Sequence, residues 1–183
     1  MANTISPYAE AAKSVTIVVM GVSGSGKTTA GKRLAEALGA EFIEGDDLHT
    51  DEARAKMASG RPLDDDDRWP WLDRIAAALN EARMRRGAVA ACSALKRAYR
   101  DRLRSAVGAS LRFVYLEATA DQMRARVAGR KNHYMPASLV DSQFAALEPP
   151  DGEDDVVAMA ADADVDHAIP RLIARLAAGR AEA

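Results

Sequence analysis

Residues 21–28 read GVSGSGKT, which fits the pattern G-x-x-x-x-G-K-[ST] in full and directly follows the apolar run at residues 15–20. Its three glycines allow positive φ angles and a close approach of the backbone to a bound group. A strand that ends in such a loop and continues into a helix aims backbone N–H groups and the positive helix end at one place. The stretch therefore predicts a site for nucleotide phosphates, and the predicted flanking strand and helix argue against a turn that binds nothing.

Each residue type in this loop has a predicted role. Lys27 can reach the β- and γ-phosphates as a point charge, and the Thr28 hydroxyl is the expected Mg²⁺ ligand. Ser23 and Ser25 are small enough to leave the concavity open. The predicted nucleotide-binding residues are Gly21, Val22, Ser23, Gly24, Ser25, Gly26, Lys27, Thr28 and Thr29.

Length, charge and cysteine content limit the class of protein. The chain has 183 residues, of which 48% are hydrophobic, and this predicts one domain over residues 1–183 with an N-terminal extension at residues 1–13. A net charge of −2 gives no general electrostatic reason to bind nucleic acid or an anionic membrane. Cys92 is the single cysteine, and residues 1–13 lack the pattern of a secretory signal. We therefore expect a cytoplasmic protein without nucleic-acid or membrane partners.

Strand-like and helix-like segments alternate along the chain. The predicted strands cover residues 15–20, 41–44, 88–93, 111–117 and 156–159. The predicted helices cover residues 27–38, 51–59, 68–86, 97–107, 121–127, 137–147 and 166–178. Repeated strand–helix units with short connections predict an α/β fold of three layers, in which helices cover both faces of a parallel sheet. Ligands of such sheets bind at the carboxyl ends of the strands.

Asp46 follows the second predicted strand, where its side chain is expected to face the γ-phosphate across the cleft. There it would accept the proton of an attacking hydroxyl or hold Mg²⁺ through water. A turn or helix-cap role for this aspartate stays open. His49 lies in the same loop, as a substrate-binding residue or as an ordinary surface histidine.

Four aspartates at residues 64–67 precede a predicted helix. Asp67 is expected to cap this helix, with Pro70 in its first turn, and a direct Mg²⁺ role of the aspartates is the alternative. Trp69 and Trp71 flank the proline. They are expected to wall a substrate pocket or to pack in the core.

Two pairs of basic residues are each four positions apart, a spacing that places both members on the same face of a helix. Lys96 and Arg100 are four residues apart and would together hold an anionic acceptor, unless they form a solvent-exposed basic face. Arg126 and Arg130 belong to a concentration of positive charge around residues 129–136. This concentration predicts a flap that closes over the nucleotide and excludes water, because a helix dipole explains only one or two of its charges.

Several motifs beyond the phosphate loop occur together. They are GDDLH at residues 45–49, DDDR at 65–68, PWL at 70–72, CSALK at 92–96, YRD at 99–101, HYMP at 133–136 and SQF at 142–144. In combination they resemble the bacterial gluconate kinases, or gluconokinases, which are P-loop small-molecule kinases. The likeness runs from about residue 15 to residue 150.

The resemblance implies ATP-dependent phosphorylation of D-gluconate at its 6-hydroxyl, five strands in the order 2-3-1-4-5, and a homodimer. A substrate-side segment at about residues 45–72 and a lid at about residues 124–137 are expected. Because gluconate is an anion, a cationic acceptor pocket is also expected on physical grounds. The predicted catalytic residues are Lys27, Asp46, Arg126 and Arg130. The predicted substrate-binding residues are Asp46, His49, Arg68, Lys96, Arg100 and His133, and the predicted Mg²⁺ ligands are Thr28 and Asp46.

The chain departs from the family pattern after His49. Thr50 and Ala53 stand where the family usually has a proline and an asparagine, which loosens the loop and removes one possible hydrogen bond to a polyol. The alternatives are therefore a related kinase for another small hydroxy acid, such as shikimate, and a nucleotide-gated binding protein without transferase activity. A nucleoside monophosphate kinase is disfavoured, because the aspartates of the substrate-side segment would repel a second phosphate-bearing substrate.

Overall fold

A single parallel sheet organises the computed structural model, which describes residues 15–128 and 137–178. Within these residues the strands are β1 (Thr16–Met20), β2 (Glu41–Glu44), β3 (Ala88–Ala91), β4 (Leu111–Glu117) and β5 (Val156–Ala160). All neighbouring pairs are parallel, and the order across the sheet is β2-β3-β1-β4-β5. The expected α/β class and the order 2-3-1-4-5 are confirmed.

The helices follow the predicted segments closely. The described residues form α1 (Lys27–Leu38), α2 (Asp51–Ala58), α3 (Asp65–Arg83), α4 (Arg97–Val107), α5 (Ala120–Ala128), α6 (Ala137–Ala146) and α7 (Val165–Ala178). A short 3₁₀ turn, Gly45–Leu48, separates β2 from α2. Within residues 15–128 and 137–178, none of the helices combines the length and apolar character needed to cross a membrane.

Alternation along β1 divides the core into two layers, since successive strand side chains point to opposite faces. Val18 and Met20 pack in a cluster with buried residues of α3 and α4. Ile17 and Val19 pack with buried residues of α1 and α7. Both faces of the sheet are therefore covered by helices, and the carboxyl ends of the strands are left to carry the functional loops.

The start of α3 differs from the prediction. Asp64 is the N-cap residue, and it forms a reciprocal capping box with Asp67 in the first turn, so Pro70 lies inside the helix. Lys56 of α2 forms salt bridges with both capping carboxylates. The reciprocal bonds within the capping box identify Asp64 as the cap, so the prediction that Asp67 is the cap was wrong.

The structure places Arg100 in the core, which corrects its prediction as a ligand for the acceptor. Its guanidinium donates to the carbonyl oxygens of Ala94 and Leu95, at 3.1 and 3.0 Å, and pairs with both carboxylate oxygens of Glu153. Lys96 is the N-cap of α4 with an extended backbone, so the two cations do not share a helical face. Arg100 therefore supports the loop that carries Lys96.

Replacing Glu153 with glutamine is expected to destabilise the protein by about 3 kcal/mol, because the buried Arg100 charge loses its compensation. Burial raises the pKa of Glu153, but hydrogen bonds from Arg100 and Arg104 outweigh it and hold the pKa at about 2, against an ordinary 4.5. The stabilisation is therefore present above pH 4.5 and is lost as the pH falls toward 2. Urea unfolding at pH values from neutral down to this acidic range measures it.

Asp101→Asn is the matched control for this prediction. Asp101 also pairs with Arg104, but its side chain is 54% exposed, so its loss should change the free energy of unfolding by at most about 0.5 kcal/mol. Equal stabilities of the Glu153→Gln variant and the wild type at neutral pH would contradict the assignment of this ion pair.

Candidate active site

The phosphate loop connects β1 directly to α1. Gly26 is the N-cap of α1 with φ of 97°, a left-handed conformation that favours glycine. Among the described residues, none caps this helix end with a side chain. Thr28 and Thr29 are exposed in its first turn. The positive end of α1 is therefore open to an anion.

Lys27 and Thr28 contact groups that face the same helix end. The Lys27 ammonium donates to the carbonyl oxygen of Val22 at 3.0 Å. The Thr28 hydroxyl donates to the Glu44 carboxylate at 2.7 Å. Sequence analysis missed Glu44, although its place at the carboxyl end of β2 was a usable signal. A hydroxyl and a carboxylate in contact provide the hard oxygen atoms that Mg²⁺ prefers.

The turn that carries Asp46 is fixed against β3. A Cβ atom at Gly45 would lie 2.2 Å from the carbonyl oxygen of Ala91, so only glycine permits this close approach. The Trp71 indole N–H donates to the carbonyl oxygen of Gly45 at 2.7 Å. The backbone entering Asp46 is therefore held from the sheet side and from α3.

Two arginines hold the rest of the turn. Arg54 of α2 donates to the carbonyl oxygens of Asp47 and His49, and Arg74 of α3 donates to that of Leu48. These bonds satisfy carbonyl groups that a 3₁₀ turn leaves unpaired at its end. The position of the Asp46 backbone is thus set by groups on two helices.

His49 is buried behind the Asp46 turn, which is not the surface position considered for it. Its ring stacks on Trp71 with centroids 4.3 Å apart, and its Nε2 atom lies 4.0 Å from Oδ1 of Asp46. Burial lowers the pKa of His49 to about 4, against the opposing pull of the Asp46 charge. His49 is therefore neutral at physiological pH, while the Asp46 side chain is 79% exposed.

A cavity of about 450 Å³ lies between the start of α3, the loop before α4, and α6. Its lining residues are Leu63, Asp64, Asp65, Asp66, Arg68, Leu95, Lys96, Tyr99, Ser142, Gln143 and Ala146. The predicted cations Arg68 and Lys96 meet in this space, which we call the acceptor cavity. Asp46 and His49 are not among its lining residues, and Trp69 and Trp71 pack in or against the main core cluster instead.

Asp65 forms the central hydrogen bonds among the polar groups of the acceptor cavity. Asp65 accepts hydrogen bonds from the Lys96 ammonium at 2.7 Å and from the Tyr99 hydroxyl. The bond to Lys96 lowers the pKa of Asp65, and the same bond raises the pKa of Lys96. Both groups are therefore charged at neutral pH. Arg68 adds a second cation, 5.7 Å from the centre of the Tyr99 ring.

Gln143 joins the acceptor cavity to the phosphate loop. Its amide oxygen accepts from the backbone N–H of Ser23 at 2.6 Å, and its amide nitrogen donates to the Ser23 hydroxyl at 3.2 Å. Ser23 is the third residue of the loop. The space for an acceptor is therefore immediately beside the phosphate loop.

The thiol of Cys92, just after β3, is buried. Burial raises the pKa of Cys92 to about 12; Asp46 acts in the same direction, while Lys27 and Arg68 oppose it. The backbone N–H of Gly21, in the phosphate loop, donates to the carbonyl oxygen of Ser93 at 3.2 Å, and Gly45 lies against Ala91. The phosphate loop, the Asp46 turn and one wall of the acceptor cavity meet at the carboxyl end of β3.

A second cavity, of about 290 Å³, lies on the other side of the phosphate loop. Its walls come from the loop and α1, from the end of β4, and from β5 and the start of α7. Arg126 lines it and donates to the carbonyl oxygens of Gly24 and Ala161, at 3.4 and 3.1 Å. Arg126 therefore lies on the nucleotide side of the loop, away from the acceptor cavity.

Four predictions fall wholly or mostly on residues outside those that the structure describes. Arg130 and His133 lie outside the described residues, as does most of the expected lid at residues 124–137. The N-terminal extension at residues 1–13 also lies outside them.

The two departures from the family pattern have local structural roles. Thr50 caps α2, and its hydroxyl accepts from the backbone N–H of Ala53 at 3.0 Å. Ala53 is buried. Neither residue is among those that line the acceptor cavity. Thr50 thus replaces the rigidity of a proline with a helix cap.

Comparison with known proteins shows which families the chain resembles. The protein family described as "AAA domain" matches residues 16–150. A probable gluconokinase of Schizosaccharomyces pombe is 48% identical over 143 residues, covering 75% of this chain and 74% of that protein. The gluconokinase of Gluconobacter oxydans is 42% identical over 158 residues, covering 86% of this chain and 88% of that protein.

The likeness extends to a solved structure. The crystal structure of a gluconokinase from Sinorhizobium meliloti 1021 superposes with a TM-score of 0.81 at 45% identity, covering 90% of this chain and 92% of that one. A five-stranded parallel sheet with the phosphate loop after β1 defines the P-loop kinase fold. The chain belongs to the gluconokinase family.

Proposed function

We propose that this protein phosphorylates D-gluconate at its 6-hydroxyl with ATP, giving 6-phospho-D-gluconate and ADP. The observation that carries the proposal is the cationic acceptor cavity, joined to the phosphate loop through Gln143 and Ser23. A donor phosphate on the loop and a polyol in the cavity would be neighbours.

The acceptor cavity has the chemistry that gluconate requires. The Lys96 ammonium and the Arg68 guanidinium offer opposite charge to the gluconate carboxylate. The Tyr99 hydroxyl and the Asp65 carboxylate, already in contact, offer a donor and an acceptor to the hydroxyl groups of the chain. The volume of about 450 Å³ is within the usual range for small-molecule sites.

The donor side fits ATP. The phosphates would lie on the N–H groups of the loop and the end of α1, with Lys27 at the β- and γ-phosphates. The base would enter the cavity of about 290 Å³, where Arg126 would contact it. We assign Arg126 to nucleotide binding on this ground, with charge stabilisation at the transferring group as its further role.

The residues present fit Mg²⁺ carried by the nucleotide. Thr28 would hold the ion, with Glu44 beside it and Asp46 acting through water. Among residues 15–128 and 137–178, no cluster of three or more histidine, cysteine or acidic side chains could hold a metal. Kinase sites hold Mg²⁺ with one or two protein oxygens, the substrate phosphates and water. When bound, the ion neutralises charge on the β- and γ-phosphates.

Asp46 would act on the attacking hydroxyl. The 6-oxygen of gluconate forms a bond to the γ-phosphorus while the bond from that phosphorus to the β,γ-bridging oxygen breaks, which releases ADP. The hydroxyl proton passes to the Asp46 carboxylate, which also orients the oxygen. His49 would position Asp46, because it lies buried beside that carboxylate and is neutral.

Replacing Lys96 with methionine is expected to raise the KM for gluconate roughly 10- to 100-fold, the cost of one charged hydrogen bond. The substitution also removes the positive charge that pairs with the Asp65 carboxylate, so this carboxylate would repel an anionic substrate. The KM for ATP should change less than about twofold, because Lys96 lines the acceptor cavity and not the cavity of about 290 Å³ on the other side of the phosphate loop. Steady-state kinetics with each substrate varied in turn measures both constants.

Lys32→Met, on the exposed face of α1, is the control for the loss of a positive charge. It should leave both KM values unchanged. A Lys96→Met variant whose KM rises for ATP and not for gluconate would contradict the assignment of the acceptor cavity.

We also propose that the chain acts as one kinase domain in the cytoplasm and forms a homodimer, as the family resemblance implies. Sedimentation equilibrium tests the oligomeric state directly.

Phosphorus NMR of the reaction product tests the position of the new phosphoester, and a phosphate on any oxygen other than that at carbon 6 would contradict the proposal.

A further inference from the structure

Gln143 contacts both substrate regions at once. Its amide is bonded twice to Ser23 of the phosphate loop, at 2.6 and 3.2 Å, while the same side chain lines the acceptor cavity. The amide reaches Ser23 across 120 residues of sequence, so the bond is a tertiary contact of α6 with the loop. A shift of either the loop or α6 changes this contact.

A small apolar cluster links the same elements beneath Gln143. It consists of four buried residues: Val22 of the phosphate loop, Leu95 of the loop before α4, Met123 of α5 and Val140 of α6. Its four buried members belong to neither of the two main core layers, although Leu147 packs against both this cluster and the layer that contains Val18. Since packed clusters move as units and do not deform continuously, the two loops and two helices are mechanically joined.

We propose that Gln143 is a positioning residue that couples nucleotide binding to acceptor binding. The inference rests on the proposed function. Phosphates on the loop fix the Ser23 N–H, which fixes Gln143 and the α6 wall of the acceptor cavity. By linkage, gluconate in the cavity fixes the loop for the nucleotide to the same extent. Each substrate therefore tightens the binding of the other.

The coupling is measured by isothermal titration calorimetry of the full chain with gluconate, with and without the Mg²⁺ complex of the non-hydrolysable β,γ-imido analogue of ATP. The ratio of the two dissociation constants is the coupling factor. In the wild type we expect roughly a 5- to 150-fold tighter binding of gluconate when the analogue is present, the usual range for coupled sites. Gln143→Ala should bring the ratio to within about twofold of one.

Gln143→Met separates hydrogen bonding from packing. Methionine keeps the length and the helix propensity of glutamine but forms neither bond to Ser23. It should lose the coupling as Gln143→Ala does. Ser23→Ala removes only the 3.2 Å bond, so it should keep part of the coupling. Gln122→Ala, an exposed amide on α5 outside both cavities, is the matched control and should keep all of it.

A merely structural role of Gln143 gives a different result. It would lower thermal stability or raise both dissociation constants while leaving their ratio at the wild-type value, and that outcome overturns the inference. A wild-type ratio near one also overturns it, with gluconate turnover still supporting the proposed function. If the wild type binds no gluconate in either titration, the proposed function fails together with the inference.

Discussion

Replacing Lys27 with alanine is expected to lower kcat/KM for the kinase reaction by roughly 10³-fold or more, because a positioned charge on the transferring phosphates is lost. The free energy of unfolding should change by less than about 1 kcal/mol, since the ammonium is only partly buried and donates to the carbonyl oxygen of Val22 in the loop. Steady-state rates of ADP release and urea unfolding measure the two effects.

Lys32→Ala provides the control for Lys27 on the same helix. It removes the same functional group from the exposed face of α1, away from the phosphate loop, and should leave the rate unchanged. A Lys27→Ala variant that keeps more than a tenth of the wild-type kcat/KM would contradict the assignment of Lys27 as a catalytic residue.

Replacing Asp46 with asparagine is expected to lower kcat by roughly 10²- to 10⁴-fold, the usual contribution of a positioned acid–base group. Asparagine has the same shape but cannot accept the hydroxyl proton as a carboxylate does. The turn itself should persist, because Trp71, Arg54 and Arg74 hold its backbone carbonyls and do not depend on the Asp46 side chain. The affinity for the ATP analogue should change less than about twofold.

Asp47→Asn is the neighbouring control, because Asp47 is exposed in the same turn. It should keep at least half of the wild-type kcat, roughly the effect of a surface charge. An Asp46→Asn variant with unchanged kcat would show that proton transfer and hydroxyl orientation depend on another group.

The parallel sheet and the phosphate loop could be predicted because their signals are local. The apolar run before Gly21 and the alternation of strands with helices fix the element order, and the Gly–Lys–Thr pattern identifies the loop. β2, β4 and α4 have the predicted bounds without change. Glycine at position 45, directly before Asp46, lets the turn pack on β3.

Arg100 was mispredicted because a tertiary contact decides its place. The spacing of Lys96 and Arg100 predicts a shared face only if both are helical, and Lys96 has an extended N-cap backbone. The partner of Arg100 is Glu153, which lies 53 residues away. The cap of α3 was mispredicted for a different reason: Asp64 and Asp67 have the i,i+3 spacing of a reciprocal capping box, a local signal that the sequence analysis did not use.

Glu44 and Gln143 show what local patterns leave out of a site. Glu44 reads as one end of a short strand, and its contact with Thr28 exists only once β2 lies beside the start of α1. Gln143 reads as a polar position on a helix, and its bond to Ser23 spans 120 residues. The loops of the site can therefore be predicted from local sequence patterns. The side chains that join two distant loops can be identified only once the fold is known.

Gluconate-dependent ADP release by the wild-type protein, with Mg²⁺ and ATP and a panel of hydroxy acids, tests the central claim most directly. We expect kcat/KM for D-gluconate to exceed that for shikimate and for other aldonates by at least about tenfold, the discrimination that one well-placed polar contact provides. Turnover with another acid and none with gluconate would contradict the account, as would ATP binding without transfer to any acid in the panel.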